Sequence, residues 1–348
     1  MKKGLIITLT LCLGLLSSLA FIVSAADAPI VIKFAHSSPV DPYEQPTSAE
    51  AAVFEYLVNK LTAGRVQVKS YPNSSLGDQV ATLQQTRKGT IEMTNVASGV
   101  LASAMYEPLS LFDIPYLFKS TAVAWELTRL DNPFTKRVVE EVREKTGLRI
   151  IGIQPMGFRH FTNDVRPIKE PKDLKGLKIR TMQVKPHIKM VEAMGGLPTP
   201  IPFSELYTSL QTGVVDGQEN ATMNIMAQHF DEVQKYMTLD GHVLLLAITM
   251  VNDKWFSSLP EDIQAKILEA EDGARTAATG LNFIKDATGL KELKKRGMEI
   301  YSPTAEEMNK FKEATQKPVI EYLKGKIDQE YFDLLFAEIE KIETKLGY

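Results

Sequence analysis

One arginine stands at the end of a predicted strand, where a guanidinium could bind an anion. Residues 173–186 read DLKGLKIRTMQVKP. From Leu177 onward the residues alternate, which places Lys178, Arg180 and Met182 on the same strand face. A guanidinium there can donate two parallel hydrogen bonds to a carboxylate. The alternative is a charge on a solvated surface, because Lys and Arg are mostly exposed. The segment alone leaves both interpretations open.

Residues that could support catalysis or bind a metal are scattered. Asp216 and Glu219 in VVDGQEN could form an acid and base, but Asp-Gly first indicates a turn between elements. No nucleophile elbow, phosphate loop or dinucleotide fingerprint is present in the sequence. The histidines stand singly, without metal-site spacing, at positions 36, 160, 187, 229 and 242. We therefore predict no metal and no cofactor, and an enzyme built from distant residues remains an alternative.

Strands and helices alternate along the chain. The hydrophobic pattern predicts strands over residues 29–36, 65–71, 90–96, 149–154 and 177–182. Helices are predicted from Thr47, where Thr47 and Glu50 have capping-box spacing, and over 78–88, 185–194 and 203–212. Such alternation is typical of a largely parallel α/β sheet.

A long helix is predicted near the C-terminus. Ser258 and Glu261 have capping-box spacing, Pro260 lies in the first turn, and Gly297 is a natural stop. A continuous helix here has roughly 37 residues and a length of about 55 Å. Glycines that are candidate positions for bends lie at 273, 280 and 289. The helix is longer than one lobe, so we expect it to cross two α/β lobes that form a hinged clamp. A two-domain enzyme is the alternative.

The N-terminus has the three parts of a secretory signal peptide. Lys2 and Lys3 precede residues 4–23, which carry no charge, and the small residues 24–26 follow. We predict a signal peptide over residues 1–26, with a retained membrane anchor as the alternative. Cys12 is the only cysteine and follows Leu11 rather than a small residue, so no lipid anchor and no disulfide are predicted.

The remaining composition is that of a globular protein. The full chain is 44% hydrophobic and 24% charged. Without Lys2 and Lys3, 38 basic residues face 43 acidic ones, which argues against nucleic acid or an anionic membrane as the partner. A mature chain of about 320 residues exceeds the size at which single cores stop growing, which also favours two lobes.

Five stretches in order resemble one family. They are SLGDQ (75–79), GFRHFTN (157–163), DLKGLKIR (173–180), PTPIPFSELYTSLQTGVVDGQEN (198–220) and SLPEDIQ (258–264). Together they resemble the DctP-type solute-binding proteins of TRAP transporters. The resemblance implies a periplasmic, monomeric, two-lobed clamp of periplasmic-binding-protein type. Each lobe would be a mixed sheet flanked by helices, with lobe I over 27–155 plus 247–348 and lobe II over 156–246. Such a clamp delivers an organic acid to a small and a large membrane subunit.

The resemblance also implies the ligand site. It places Arg180 against the ligand carboxylate, Arg159 as a second arginine, Asn220 as a hydrogen-bonding amide and Phe203 as an aromatic contact. A structural ion pair is the alternative for Arg159, and a core residue is the alternative for Phe203. Further positions in the family's ligand region are Ser37, Gln79, Gln183 and Ser98, with a plain surface loop as the alternative for Ser37.

Several positions depart from the pattern of sialate-binding members. Gln183 replaces Asn, Gln79 replaces an acid, and residues 95–98 lack the Glu of that pattern. These departures argue against sialate. C4-dicarboxylates, uronates and 2-oxo or hydroxy acids stay open as ligands. A sensory binding protein and a periplasmic hydrolase or lyase stay open as alternative functions.

Overall fold

The first half of the chain forms strands and helices in alternation. The structure is a computed structural model that describes residues 28–348, so the predicted signal peptide and Cys12 lie outside the described residues. The elements are β1 (Ile30–Ala35), α1 (Pro46–Leu61), β2 (Val66–Tyr71), α2 (Gln79–Lys88), β3 (Met93–Ala97), α3 (Ser98–Ala104), α4 (Thr121–Leu127) and α5 (Pro133–Thr146).

The second half contains the longest strands and the longest helix. Its elements are β4 (Leu148–Asn163), β5 (Lys178–Thr181), α6 (Lys185–Ala193), β6 (Leu197–Pro200), α7 (Leu206–Gln211), β7 (Gly217–Ala221), α8 (Thr222–Ala227), β8 (Tyr236–Asn252), α9 (Asp253–Ser257), α10 (Glu261–Lys295), β9 (Glu299–Tyr301), α11 (Ala305–Lys324) and α12 (Gln329–Leu346).

The strands of residues 28–348 form one mixed sheet. Its order is β2-β1-β3-β8-β4-β7-β5-β6, and β9 pairs with β8. Strand β1 is parallel to β2 and β3, and β5 is parallel to β6 and β7. Strand β8 is antiparallel to β3 and β4, and β4 is antiparallel to β7. The α/β class and the mixed sheet implied by the family resemblance are confirmed. The largely parallel sheet suggested by the alternation of elements is wrong, because the central strands β4 and β8 are antiparallel to each other and to their neighbours β7 and β3.

Strands β4 and β8 join two halves of the sheet, one formed by β1, β2 and β3 and the other by β5, β6 and β7. The pairing register between them shifts between Pro155 and Phe158. Gly157 lies within this shift at φ 94°, in the region that favours glycine. A bulge of this kind bends the strand locally. The halves of the sheet are therefore joined by strands that already deviate from regular pairing.

The long helix is confirmed, and its glycines do not break it. Helix α10 has 35 residues. A Cβ at Gly273 would lie 2.8 Å from Leu57 of α1, and one at Gly289 would lie 2.6 Å from Met226 of α8. Glycine at these positions lets α10 pack closely on its neighbours. No helix within residues 28–348 is both long and apolar enough to span a membrane.

Helix α10 contributes to two separate apolar cores. Ile267 packs with Phe54 of α1 and Phe34 of β1 in one core. Leu293 packs with Leu206 of α7 and other residues in another. The helix therefore contacts elements on both halves of the sheet, as the sequence predicts.

The two predicted capping boxes are wrong. Helix α1 begins at Pro46 without a side-chain cap, and Glu50 is buried in a polar cluster. Helix α10 follows Pro260, also without a side-chain cap, and the Ser258 hydroxyl donates to the Trp255 carbonyl of the preceding helix. Both motifs have the right spacing, but tertiary partners bind the Glu50 side chain, and the Ser258 hydroxyl bonds the preceding turn instead of capping α10.

A buried pair of carboxyl groups connects α1 and α10. Glu50 accepts hydrogen bonds from Asn95 Nδ2 at 3.3 Å, from Gln154 Nε2 at 2.8 Å and from the Thr249 hydroxyl. Burial raises the pKa of Glu50 to about 7 despite these hydrogen bonds. Burial and the adjacent Glu50 charge raise the pKa of Glu271 well above its usual range. The pair therefore binds protons at higher pH than isolated carboxyl groups do.

We expect Glu271→Gln to remove part of the pH dependence of stability. The unfolded carboxyl groups titrate near pH 4.3, whereas the folded pair keeps its proton to higher pH. The folded state therefore binds more protons in the window from about pH 4.5 to 7, and the free energy of unfolding falls as pH rises through it. A glutamine amide donates to Glu50 without a proton to lose, so the variant should lose less stability.

Urea unfolding at pH 5, 6, 7 and 8 measures this difference. Glu269→Gln is the matched control, because Glu269 is exposed on the same helix. The wild type and the control should lose stability together across the window. A Glu271→Gln curve parallel to theirs would contradict the raised pKa of Glu271.

Candidate ligand-binding site

A cavity opens where the two halves of the sheet meet. Its volume is about 800 Å³, including the open mouth. Residues from the loops after β1, β2 and β5, and from the ends of β3 and β7, line it. The carboxyl ends of parallel strands are the usual place for a ligand in an open α/β sheet.

Most of the predicted site residues line this cavity. They are Ser37, Gln79, Arg159, Arg180, Gln183, Phe203 and Asn220. Ser98 is buried at the start of α3 and is not among the lining residues, whereas Asn95 and Ala97 are. Asn95 and Ala97 share one face of β3, whereas Ser98 lies beyond the strand, in the first turn of α3.

Arg180 is a buried cation without a complete set of partners. It lies on β5, where it pairs with Thr199 of β6 and Gln218 of β7 in the parallel register. Its side chain is 1% exposed, Nε donates to the Ile201 carbonyl at 2.9 Å, and Nη1 is buried without a hydrogen-bond partner. Burial, and to a smaller extent the nearby Arg159 charge, lower the pKa of Arg180 to about 9. An anion in the cavity would compensate both effects.

Phe203 lies beside this guanidinium. The guanidinium carbon of Arg180 lies 6.0 Å from the centre of the Phe203 ring. The chain turns at Pro200, the last residue of β6, and at Pro202. Proline at these positions ends the strand and directs the short 3-10 turn that carries Phe203. The ring therefore lies within the distance of a cation–π interaction with Arg180.

Arg159 is already paired within the protein. It lies on β4, and its Nε and Nη2 donate to the carboxylate of Glu219 on β7, with Nη2 2.9 Å from Oε1. Its Nη1 donates to Asn220 Oδ1 at 3.3 Å. The structure therefore contains the ion pair that was the alternative for Arg159, although the residue also lines the cavity.

Two histidines extend this charge network. His187 Nδ1 lies 3.2 Å and His242 Nε2 lies 3.1 Å from the Glu219 carboxylate. Burial by itself would raise the pKa of Glu219, but Arg159 and the two histidines hold it well below its usual range. Burial would lower the pKa of His242, yet Asp240 and Glu219 raise it to about 9. Glu219 and His242 are thus both charged at neutral pH.

Asp216 is separate from this network. Its Oδ2 accepts a hydrogen bond from the Lys178 backbone, whereas Glu219 is bound to Arg159. The two acids therefore do not form the acid and base pair considered from the sequence. Across residues 28–348 no group of three or more His, Cys, Asp or Glu side chains is arranged to hold a metal ion.

Some lining residues were not recognised in the sequence. One of them is Asp78, which caps α2 by accepting a hydrogen bond from the Ala81 backbone at 2.7 Å. Its signal was the Gly-Asp-Gln sequence at the start of the helix predicted from residue 78. The other polar lining residues without a sequence signal are Ser38, Thr47, Ser74, Ser204 and Asn224.

The family follows from a comparison with known proteins. Residues 36–325 match the sequence model of DctP, described as bacterial extracellular solute-binding protein, family 7. The chain belongs to this family. Its members are extracytoplasmic transport proteins that bind small acids and work with TRAP membrane subunits, and they are not enzymes. The enzyme alternative is therefore excluded.

Individual DctP-family proteins are similar over most of their length. A solute-binding protein of Verminephrobacter eiseniae is 38% identical over 70% of this chain and 71% of that protein. The C4-dicarboxylate-binding periplasmic protein DctP of Rhodobacter capsulatus is 32% identical over 85% of this chain and 87% of that protein.

A solved DctP-family structure has the same fold. The sugar acid binding protein DctPAm of Advenella mimigardefordensis, in complex with galactonate, matches with a TM-score of 0.85. It is 31% identical, and the match covers 90% of this chain and 99% of that chain. The periplasmic-binding-protein architecture predicted from the sequence is thereby confirmed.

Proposed function

We propose that this protein captures a small organic acid through Arg180 and delivers it to the small and large membrane subunits of a TRAP transporter. The observation that carries the proposal is the buried Arg180 guanidinium, whose Nη1 lacks a partner in a cavity. The similar protein of Rhodobacter capsulatus is named a C4-dicarboxylate-binding protein, and that of Advenella mimigardefordensis is a sugar acid binding protein in complex with galactonate. The protein would work in the periplasm, as a monomer, after removal of residues 1–26.

The hydrogen bond to Ile201 orients the guanidinium of Arg180. With Nε donating to that carbonyl, the two terminal nitrogens are the donors left for a ligand. A carboxylate matches such a fork with two parallel hydrogen bonds. In a cavity shielded from water, this pair fixes the orientation of the ligand as well as contributing affinity.

The two halves of the sheet correspond to two lobes in this proposal. Lobe I comprises residues 27–155 and most of 247–348, and lobe II comprises residues 156–246. Strand β9 pairs with β8 at residues 236–238, and α11 packs on α6, so these two C-terminal elements lie against lobe II. Hinges at residues 155–157 and 244–247 would allow the lobes to close on a ligand.

Ligand binding should both stabilise the protein and make it more compact. A ligand at about 100 times its dissociation constant adds roughly 2.7 kcal/mol to the free energy of unfolding. We expect one or more acids in a panel of aldonates, uronates, C4-dicarboxylates and 2-oxo acids to raise the melting temperature. The same acids should reduce the radius of gyration in small-angle X-ray scattering.

Arg180→Ala at the same acid concentrations is the control for both measurements. It should show neither the melting shift nor the compaction. A folded, ligand-free wild type that shows no melting shift with any acid of the panel would contradict the proposed function. A melting shift without compaction would leave binding intact and contradict the hinge.

A further inference from the structure

We propose that the cavity selects a monocarboxylate whose opposite end carries hydroxyl groups, such as an aldonate or uronate, over a dicarboxylate. Asp78 and Asn95 determine this selection. The inference rests on the proposed function, because it concerns the end of the same cavity away from Arg180.

Among the residues that the structure describes, one cationic side chain of the cavity is available to a ligand. Of the described residues that line it, Arg159 and Arg180 carry positive charge, and none is Lys or His. Arg159 is already neutralised by the carboxylate of Glu219. A first ligand carboxylate can therefore pair with Arg180, whereas a second would be buried without a cation, which is unfavourable.

The far wall of the cavity carries a fixed negative charge. Asp78 belongs to the β1, β2 and β3 half of the sheet, whereas Arg180 lies on β5 in the other half. The hydrogen bond from the Ala81 backbone holds the Asp78 carboxylate in place beside the cavity. A second ligand carboxylate would meet a like charge there, but a hydroxyl group can donate to Asp78.

Asn95 adds a neutral acceptor on the same side. Its Nδ2 donates to Glu50 at 3.3 Å and to the Thr249 hydroxyl at 2.9 Å. The Thr249 hydroxyl donates its own hydrogen to Glu50 and can therefore only accept from Asn95, which fixes the amide with its nitrogen toward Thr249. The polar atom of Asn95 that remains for the cavity is the carbonyl oxygen, which accepts from a hydroxyl and repels a carboxylate.

Serine hydroxyls complete a lining that suits a polyol chain. Ser37 Oγ accepts a hydrogen bond from Gln79 Nε2 at 3.2 Å, so its own hydrogen is available to a ligand oxygen. Ser38, Ser74 and Ser204 also line the cavity. Hydroxyls can donate or accept, so this surface matches the alternating oxygens of a sugar acid.

Matched pairs of acids test the selection by calorimetry. Galactarate differs from galactonate, and meso-tartrate from erythronate, only by a carboxylate in place of the terminal CH₂OH. We expect the wild type to bind each aldonate at least about tenfold more tightly than its dicarboxylate partner, which corresponds to about 1.4 kcal/mol. Equal or tighter binding of both dicarboxylates would overturn the inference and leave the role of Arg180 intact.

The Asp78→Asn variant tests the charge itself. Asparagine is as good a helix cap as aspartate, so α2 should form normally. The preference for the aldonate should fall by about tenfold, because the like-charge repulsion is removed. Asp41→Asn is the matched control, since Asp41 also accepts from a backbone N–H, that of Tyr43, but does not line the cavity.

The outcomes separate this inference from the proposed function. An unchanged preference in Asp78→Asn contradicts the role of Asp78. Loss of all binding in Arg180→Ala, together with a preference that Asp78→Asn reduces, supports both. Failure of the folded, ligand-free wild type to bind any member of either pair contradicts this inference, and the wider acid panel then decides whether the proposed function also fails.

Discussion

Arg180→Ala is expected to weaken binding of the organic acid by about 2–5 kcal/mol, the usual result of removing one partner of a desolvated charge pair. This corresponds to a loss of affinity of roughly 30-fold to several thousandfold. Arg180→Lys keeps the charge but loses the planar fork, so it should also bind substantially more weakly. Calorimetry with the tightest ligand of the wild type measures both effects.

The stability of the ligand-free Arg180 variants provides a further check. The Arg180 side chain is buried and its Nη1 has no partner, unlike the charge on a solvated surface that was the alternative from the sequence. Removal of such a charge should leave the melting temperature unchanged or raise it, because a buried cation without an anion is unfavourable. Lys178→Ala, at an exposed position of the same strand, is the control. In the binding experiment, wild-type affinity in Arg180→Ala would contradict the assignment of Arg180 as the group that binds the ligand carboxylate.

Glu219→Gln is expected to lower the free energy of unfolding by about 3–5 kcal/mol, because breaking a buried ion pair leaves the remaining charge uncompensated. Arg159 would lose its carboxylate partner, and His187 and His242 would lose a shared acceptor. Urea unfolding at pH 7 measures the change. Glu205→Gln, at an exposed position, should have little effect. A loss below about 1 kcal/mol, the usual value of an exposed pair, would contradict a buried ion pair.

The pH dependence of this variant follows from two shifts of opposite direction. Glu219 has a lowered pKa in the folded state, so its contribution is present above the unfolded value and disappears as pH falls. His242 has its pKa raised to about 9, so its contribution is complete below its unfolded value near 6.5 and disappears as pH rises toward 9. The variant should therefore be most destabilised between the two unfolded values, from about pH 4.5 to 6.5, with a smaller effect at higher and lower pH.

Local patterns predicted the elements that depend on local interactions. The alternation around Arg180 and the apolar spacing of α10 are both readable within one segment. The residues around Glu219 are not, because Arg159, His187 and His242 come from separate elements that only the fold brings together. No pattern within one segment indicates which distant charge will face a given acid.

Two of the wrong or missing predictions, those for β8 and Glu50, also result from contacts between distant segments. Strand β8 was not predicted, since its antiparallel pairing with β3 and β4 joins residues far apart in the chain. Glu50 has the spacing of a capping residue, but a tertiary cluster with Gln154 and Thr249 binds it instead. The resemblance to a family brought together residues such as Arg180, Phe203 and Asn220 that spacing alone could not connect.

Helix α10 has a mechanical consequence for the proposed closure. Its two ends are anchored in different apolar cores, and no break separates them. A continuous helix behaves as an elastic rod whose energy rises with the square of its curvature. Rotation of one half of the sheet against the other would therefore bend α10 and raise its energy. Contacts with the ligand would have to compensate this bending energy in the closed form. Release of the acid at the membrane subunits would then be followed by elastic recoil to the open form, without any chemical energy source in the binding protein itself.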